Sequence, residues 1–225
     1  MSWQLSKLQF IYNNKMAKSG RTNKEIFTNI FHANHWDSEE SVSGPGAEMR
    51  QTLEIREALP KIFKRFYIRS MLDIPCGDFN WMKAVDLSKL DKYIGADIVS
   101  ELITLNIARY GDEQKEFIEL DVVKDPLPIV DLVFSRDCFV HLNNDDICKA
   151  LNNIKKSGST FLLATTYVCE EVNRDTKGGK WRPINLNIKP FNLPPFIEYI
   201  KTDFRDGGRN HSGNGMALWK ISNLP

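Results

Sequence analysis

The sequence predicts an α/β fold built on a doubly wound sheet. The sheet is mostly parallel, with an antiparallel strand near its C-terminal edge, and a helical cap precedes it. Three observations carry this expectation. From residue 70 onward, short apolar runs alternate with segments of helical periodicity, the pattern of a parallel sheet. One run, IVDLVF at 129–134, is apolar enough for a central strand covered on both faces. Residues 1–68 read as helical and carry no strand signal.

Along the chain, SVSGPG at 41–46 marks a break, because Gly and Pro cluster there. Met49, Leu53, Leu59, Ile62, Phe63 and Phe66 then recur at approximately helical spacing. Pro60 interrupts that stripe. An interior proline removes a hydrogen bond and clashes with the preceding turn, so a kink or two abutting helices are expected. Lys61, Lys64, Arg65 and Arg69 read as a solvated face. MLDIP at 71–75 is the first strand, and a helix-like stretch follows at 79–87. YIGAD at 93–97 is the second strand, and 99–110 a helix with Leu102, Ile103 and Ile107 on one side. The third and fourth strands fall at 117–120 and 129–134. Asn144 is placed to cap a helix carrying Ile147, Ala150, Leu151 and Ile154. FLLA at 161–164 is the fifth strand. Segments 197–204 and 216–222 read as two strands around a polar, glycine-rich connection at 205–215, which suits an antiparallel pair. The expected division is a cap at 1–68 and one globular unit at 69–225.

Composition narrows the function. A chain of 225 residues suits one sizeable domain with a small cap. Hydrophobic residues at 42% and charged residues at 26% exclude a mainly disordered chain. The balance of 30 Lys+Arg against 29 Asp+Glu argues against a generic nucleic-acid binder, which needs a basic excess to neutralise phosphates. No apolar run approaches the roughly 20 residues of a membrane helix. The first twenty residues lack the apolar core of a signal peptide, so a cytoplasmic protein with no membrane partner is expected. Cys76, Cys138, Cys148 and Cys169 form no CxxC pair and read as reduced, mostly buried thiols. His32 and His35 lack a third ligand nearby, and Asp145-Asp146 reads as an acidic first helical turn, so no metal site is expected.

The motifs lie at strand ends. Asp73-Ile-Pro-Cys-Gly-Asp-Phe79 runs off the first strand; a glycine there lets a ligand approach the backbone, and free N–H groups attract anions. Asp97 ends the second strand 20 residues after Gly77, where nucleoside-binding, Rossmann-like domains place an acid that accepts both ribose hydroxyl hydrogens. Asp121 ends the third strand, in reach of an adenine edge. Each acid alone reads as a turn residue. Three at the carboxyl ends of successive strands mark the rim where such sheets bind ligands.

Residues 73–79 resemble the first motif of class I S-adenosylmethionine-dependent methyltransferases, an acid followed by three glycines at alternate positions. Only Gly77 is glycine here; Pro75 and Phe79 occupy the other two positions. The resemblance covers about 70–166 and implies S-adenosyl-L-methionine as cofactor. It implies that Asp73, Pro75, Cys76, Gly77 and Asp78 lie near its methionine end, that Asp97 with Ile98 binds the ribose, and that Asp121 and Val122 flank the adenine. Arg136 is a candidate for the cofactor carboxylate or a substrate anion, and a structural ion pair is an equal reading. N-terminal helices often close over the cofactor in this fold, which makes Trp36 and Gly44 candidates for the lid.

SRDCFVHL at 135–142 follows the fourth strand, beneath the transferred methyl in the family, and its ending is similar to that of many small-molecule methyltransferases. The Pro-Pro-aromatic signature of many amine-methylating enzymes is absent, which shifts weight to an oxygen acceptor. Such an acceptor benefits from a base, and His suits neutral pH. Asp137 and His141 are four apart and would share one side of a helical turn, as catalytic candidates; a structural His141 is an even alternative. Between the last strands, Tyr167, Asn173, Trp181, Arg182 and Asn185 combine ring faces with amide and guanidinium groups, which suits a sugar. The expected function is methyl transfer to a hydroxyl, preferably of a sugar in a glycan or glycosylated small molecule. Protein or RNA methylation, NAD-dependent sugar oxidation and a non-catalytic cofactor-binding module are the alternatives. Oligomeric state is left open.

Overall fold

The computed structural model describes residues 20–202 and 213–225, and the backbone of 205–206 and 209–210. The expectations resting on residues 1–19 and on Gly207 and Gly208 lie outside the described residues.

Among the described residues, two α-helices precede the sheet: α1 (Asn23–His32) and α2 (Leu53–Arg65). Thr22 and Glu25 form a reciprocal cap at the start of α1, with Glu25 N donating to Thr22 Oγ1 (3.2 Å) and Thr22 N donating to Glu25 Oε2 (2.8 Å). The strands of the sheet and the remaining α-helices follow in this order: β1 (Ser70–Asp73), β2 (Lys92–Asp97), α3 (Ser100–Tyr110), β3 (Lys115–Glu119), β4 (Leu132–Ser135), α4 (Asn144–Lys156), β5 (Phe161–Tyr167), β6 (Glu198–Lys201) and β9 (Asn214–Lys220). β7 (Arg205–Asp206) and β8 (Arg209–Asn210) form a separate two-stranded ribbon.

The seven-stranded sheet runs β3-β2-β1-β4-β5-β9-β6. β1 to β5 are parallel, and β9 is antiparallel to both of its neighbours, with Leu163 opposite Leu218 and Ile200 opposite Met216. Successive residues of a strand point to opposite faces. Leu72, Val133 and Leu162 therefore pack on the face of α4, with Ile147, Leu151 and Ile154. Met71, Leu132 and Leu163 pack on the other face, with Ile55, Leu59 and Phe63 of α2. The β4 strand is buried throughout, as its apolar run predicts.

Several local expectations change. Pro60 sits within a single continuous helix, because Ile55, Leu59, Ile62 and Phe63 form one buried stripe that carries the helix past the missing N–H. The cap of α4 is Asn143, whose Oδ1 accepts Asp146 N at 2.8 Å; Asn144 is the first helical residue. In α3, Ile107 is half exposed and Asn106 turns inward in its place. Cys76 and Cys138 are buried, but Cys148 and Cys169 are exposed, and all four are free.

The helix expected at 79–87 is reduced to one 3-10 turn, Met82–Ala84. Phe79 has φ +58°, a left-handed conformation that ends any helix beginning there. The ring is buried, with centroids 5.3 Å from Tyr93, 5.0 Å from Tyr110 and 5.3 Å from Phe117. The aromatic cluster thus holds a backbone conformation that costs an L-residue about 1–2 kcal/mol. Phe79→Ala is expected to lose about 3–5 kcal/mol in urea unfolding. Phe79→Gly should lose about 1 kcal/mol less, because glycine adopts the turn without strain.

Candidate active site

A large cavity opens at the carboxyl ends of β1 to β4. It spans about 1170 Å³, its open mouth included. Its floor comes from the turn after β1, where Asp73, Pro75, Cys76, Gly77 and Asp78 all reach the cavity wall. Asp97 and Ile98 contribute from the end of β2, and Asp121 and Val122 from the end of β3. Arg136, Asp137 and His141 line it beyond β4, and Trp36 lies on the N-terminal side.

Asp73 and Asp97 are both buried, and their environments differ. Asp73 Oδ2 accepts the Tyr93 hydroxyl at 2.6 Å. Burial pushes its carboxyl up to about 8, with the Asp97 charge adding to the rise and Tyr93 and Arg136 opposing it. Asp73 is therefore mostly protonated at neutral pH. Burial also raises Asp97, to about 6, against backbone N–H groups that favour its charge. Gly77 N donates to its Oδ2 at 3.2 Å and Val99 N to its Oδ1 at 3.1 Å. Asp97 thus ties the turn after β1 to the turn after β2. Asp121 Oδ1 accepts Val123 N at 2.9 Å and shapes the turn beyond β3.

The segment after β4 is tightly made. Asp137 has φ +52° and is not helical, so it and His141 do not share the helical turn expected of them; only 139–141 form a 3-10 turn. Asp137 N donates to Thr165 Oγ1 at 2.9 Å, and that hydroxyl donates to Asp137 Oδ1 at 3.2 Å. Its Oδ2 pairs with Arg136 Nη1 at 3.2 Å, and the guanidinium lies 5.5 Å from the Trp81 ring centre. His141 packs on Trp36, with ring centres 5.1 Å apart. Burial pushes His141 down to about 4; the Asp137 charge and the Gly179 backbone act against the fall, and Arg182 adds to it. The imidazole is neutral at pH 7, and its Nδ1 is buried without a hydrogen-bond partner among the described residues.

The five residues expected to bind the acceptor do not line the cavity. Asn173 Nδ2 donates to the carbonyls of Asn185 and Lys189 (2.8 and 2.9 Å), and its Oδ1 accepts Asn185 N (2.9 Å). Asn185 Nδ2 donates to Glu170 O at 2.9 Å. The buried Arg182 donates to Arg174 O (2.9 Å), Val140 O (3.1 Å) and Asn144 Oδ1 (2.8 Å). Buried Tyr167 meets Trp181 edge-on at 5.9 Å. These polar groups fold the loop. The loop touches the site through its backbone, where Gly179 N donates to His141 O at 2.8 Å. Gly44 also lies off the cavity wall, with its α-carbon against Trp36, where a Cβ would come within 2.9 Å of Trp36 Cβ.

Other residues at the site were not anticipated. Asn23, Phe27 and Phe31 of α1 line the cavity and roof it. Lys24 pairs with Glu119, His32 with Glu101 (3.2 Å), and Asn23 Nδ2 donates to Asp146 (3.0 Å), so α1 lies across β3, α3 and α4. The signal was Phe27 and Phe31 one turn apart. Asn106 Nδ2 holds the Gly77 carbonyl at 2.7 Å; an asparagine one turn after Leu102, in an apolar stripe, is its sequence mark. Among the described residues no group of three or more His, Cys, Asp or Glu is placed to hold a metal ion. No described helix is long and apolar enough to cross a membrane.

No protein-family model and no curated protein matches the chain. Solved structures do. The N-methyltransferase NodS of Bradyrhizobium japonicum, with bound S-adenosylhomocysteine, superposes with a TM-score of 0.62 at 10% identity, covering 85% of this chain and 97% of that one. Magnesium protoporphyrin IX methyltransferase of Synechocystis, with bound S-adenosylmethionine, gives 0.60 at 12% identity, over 91% and 99%. The methyltransferase domain of bacterial CtHen1 gives 0.55 at 10% identity, over 77% and 100%. This chain has the fold of the class I S-adenosylmethionine-dependent methyltransferases.

Burial of Asp73 sets a pH dependence. Its folded pKa, about 8, lies above its ordinary 3.8, so the stabilising contribution is full below pH 3.8 and is lost as pH rises through about 8. In urea titrations of the ligand-free protein, Asp73→Asn should flatten the fall in stability between those limits and be the more stable form at pH 9.

Proposed function

We propose that this chain is an S-adenosylmethionine-dependent methyltransferase acting on a hydroxyl oxygen. The observation that carries the reading is the roofed cavity with buried carboxylates at adjacent strand ends. A carboxylic acid that ionises when a cation arrives suits a ligand bearing an ammonium and a sulfonium. In this reading Asp97 takes the ribose hydroxyls, Asp121 and Val122 flank the adenine, and Arg136 takes the carboxylate end. We read α1 as a cap, since its Asn23, Phe27 and Phe31 line the cavity together with Ile98, Val99 and Leu102.

When bound, S-adenosylmethionine supplies a methyl already activated on sulfur, so an O–C bond forms as the S–C bond breaks. The protein's part is alignment and exclusion of water. His141 is neutral and can accept the hydroxyl proton, and its neighbour Trp36 limits access of water to it. The NAD-dependent reading is disfavoured by the antiparallel β9 between β5 and β6, since classic dinucleotide folds use a sixth parallel strand. Balanced charge disfavours an RNA substrate.

A sugar hydroxyl is the proposed acceptor, on the strength of the uncharged balance and the missing amine-methylation signature. Its expected contacts through Trp181, Arg182 and Asn185 are not made at the cavity. A planar phenol is the second reading, favoured by two indole rings in the cavity wall, Trp36 against His141 and Trp81 beside Arg136. A methyl-donor assay against saccharides, phenols, peptides and RNA separates these.

Calorimetry should show binding of S-adenosylhomocysteine and none of NAD; the opposite result refutes methyl transfer. Asp97→Ala should weaken that binding by about a hundredfold or more. His141→Ala should keep the affinity and lower turnover on the order of a hundredfold or more. Retained turnover would make His141 a structural residue.

A further inference from the structure

The turn after β1 keeps the shape of a glycine turn with one glycine of the usual three. Gly77 has φ +57° and Phe79 φ +58°. What lies around this turn is a second segment, 38–49, stitched to it by side chains. Asp78 carries the main seam. Its Oδ1 accepts Ser41 Oγ at 3.0 Å, its Oδ2 accepts Val42 N at 3.1 Å, and its N donates to Ser43 Oγ at 3.2 Å. Asn80 carries the second. Its Nδ2 donates to Glu40 Oε1 at 2.8 Å and to Ala47 O at 3.2 Å. Glu40 Oε1 also accepts Met49 N at 2.7 Å, which closes the segment on itself. Ser41 and Asn80 are buried, and neither lines the cavity.

These contacts fill the space that the turn leaves. A Cβ on Gly77 would lie 2.2 Å from Ser43 Oγ, so the hydroxyl packs directly on the glycine. The carboxylate of Asp78, expected at the cofactor, is spent on this seam. Hydrogen bonds from Ser41, Val42 and Asn80 N satisfy it.

We propose that segment 38–49 is a positioning element for the methionine end of the cofactor, with Ser41 and Asn80 as positioning residues that hold the Gly77–Asp78 backbone in its binding geometry. Ordinary glycine turns hold that geometry by conformational freedom and close packing. Here it is imposed from outside by a segment 30 or more residues upstream. The inference rests on the methyltransferase reading above.

The test separates the two ends of the ligand. Ser41→Ala and Asn80→Ala each remove part of the seam without touching the cavity wall. Calorimetry on the full chain with S-adenosylhomocysteine and with adenosine reads the methionine end against the nucleoside end. Each variant should bind S-adenosylhomocysteine roughly three- to tenfold more weakly and adenosine within about twofold of the unaltered protein. Circular dichroism and the urea midpoint report folding; should Asn80→Ala fail to fold, Ser41→Ala decides alone. Unchanged affinity for both ligands overturns the inference, and so does equal weakening of both, which marks a general loosening. If the unaltered protein binds neither ligand, the methyltransferase reading itself has failed. If it binds both and the variants bind the same, only the positioning role has failed.

Discussion

Burial of two carboxylates at adjacent strand ends is the constraint on which the rest of the site depends. An ionised carboxylate taken out of water without partners is costly, and a protein meets that cost by neutralising the group or by supplying N–H and O–H donors. Both answers are present. Asp73 stays largely protonated beneath the Tyr93 hydroxyl, and Asp97 holds its charge on the N–H groups of Gly77 and Val99. The parallel register makes this possible: Asp73 lies beside Gly95, two residues beyond Tyr93 on the neighbouring strand. The roof then has an electrostatic role as well as a steric one. Phe27 and Phe31 give the cavity an apolar wall of low local dielectric, in which a cation would be attracted to the carboxylates more strongly than in water.

What was legible in the sequence follows from where the forces act. The sheet was legible because burial on two faces leaves continuous apolar strands, and helices between them keep a regular stripe. The strand-end acids were legible because type and spacing alone place Asp73, Asp97 and Asp121 on one rim. The acceptor loop was not. Trp181, Arg182 and Asn185 have the chemistry of a binding site, but a loop of that length must also satisfy its own backbone, and Arg182 spends its donors on Arg174, Phe139, Val140 and Asn144. Composition cannot separate a polar group that meets a ligand from one that meets a carbonyl. Asn106 shows the converse, a polar residue in an apolar helix stripe whose partner, the Gly77 carbonyl, is 29 residues away.

Phe79 shows how a motif can change while its geometry persists. Glycine is favoured in such turns because a Cβ is unfavourable in the left-handed region. That penalty is about the size of a good aromatic contact, and Phe79 makes three. The substitution exchanges freedom for packing. A pattern of glycines therefore misses a left-handed residue of this kind, because it records residue type, whereas the backbone angle is held here by packing.

The loop that misses the cavity still governs it. Gly179 N holds the His141 carbonyl, and Arg182 holds the carbonyls of Phe139 and Val140, so the 3-10 turn that presents His141 is braced from the loop side. Gly179 also packs on Ile26 and Ile30 of α1, where a Cβ would meet Ile26 Cγ2 at 2.7 Å. Roof, loop and the His141 turn are thus one mechanical unit. The Gly179 contacts join α1 to the backbone that carries the imidazole. Packing of α1 and the position of the His141 turn therefore depend on the same glycine, at which a side chain would have no room.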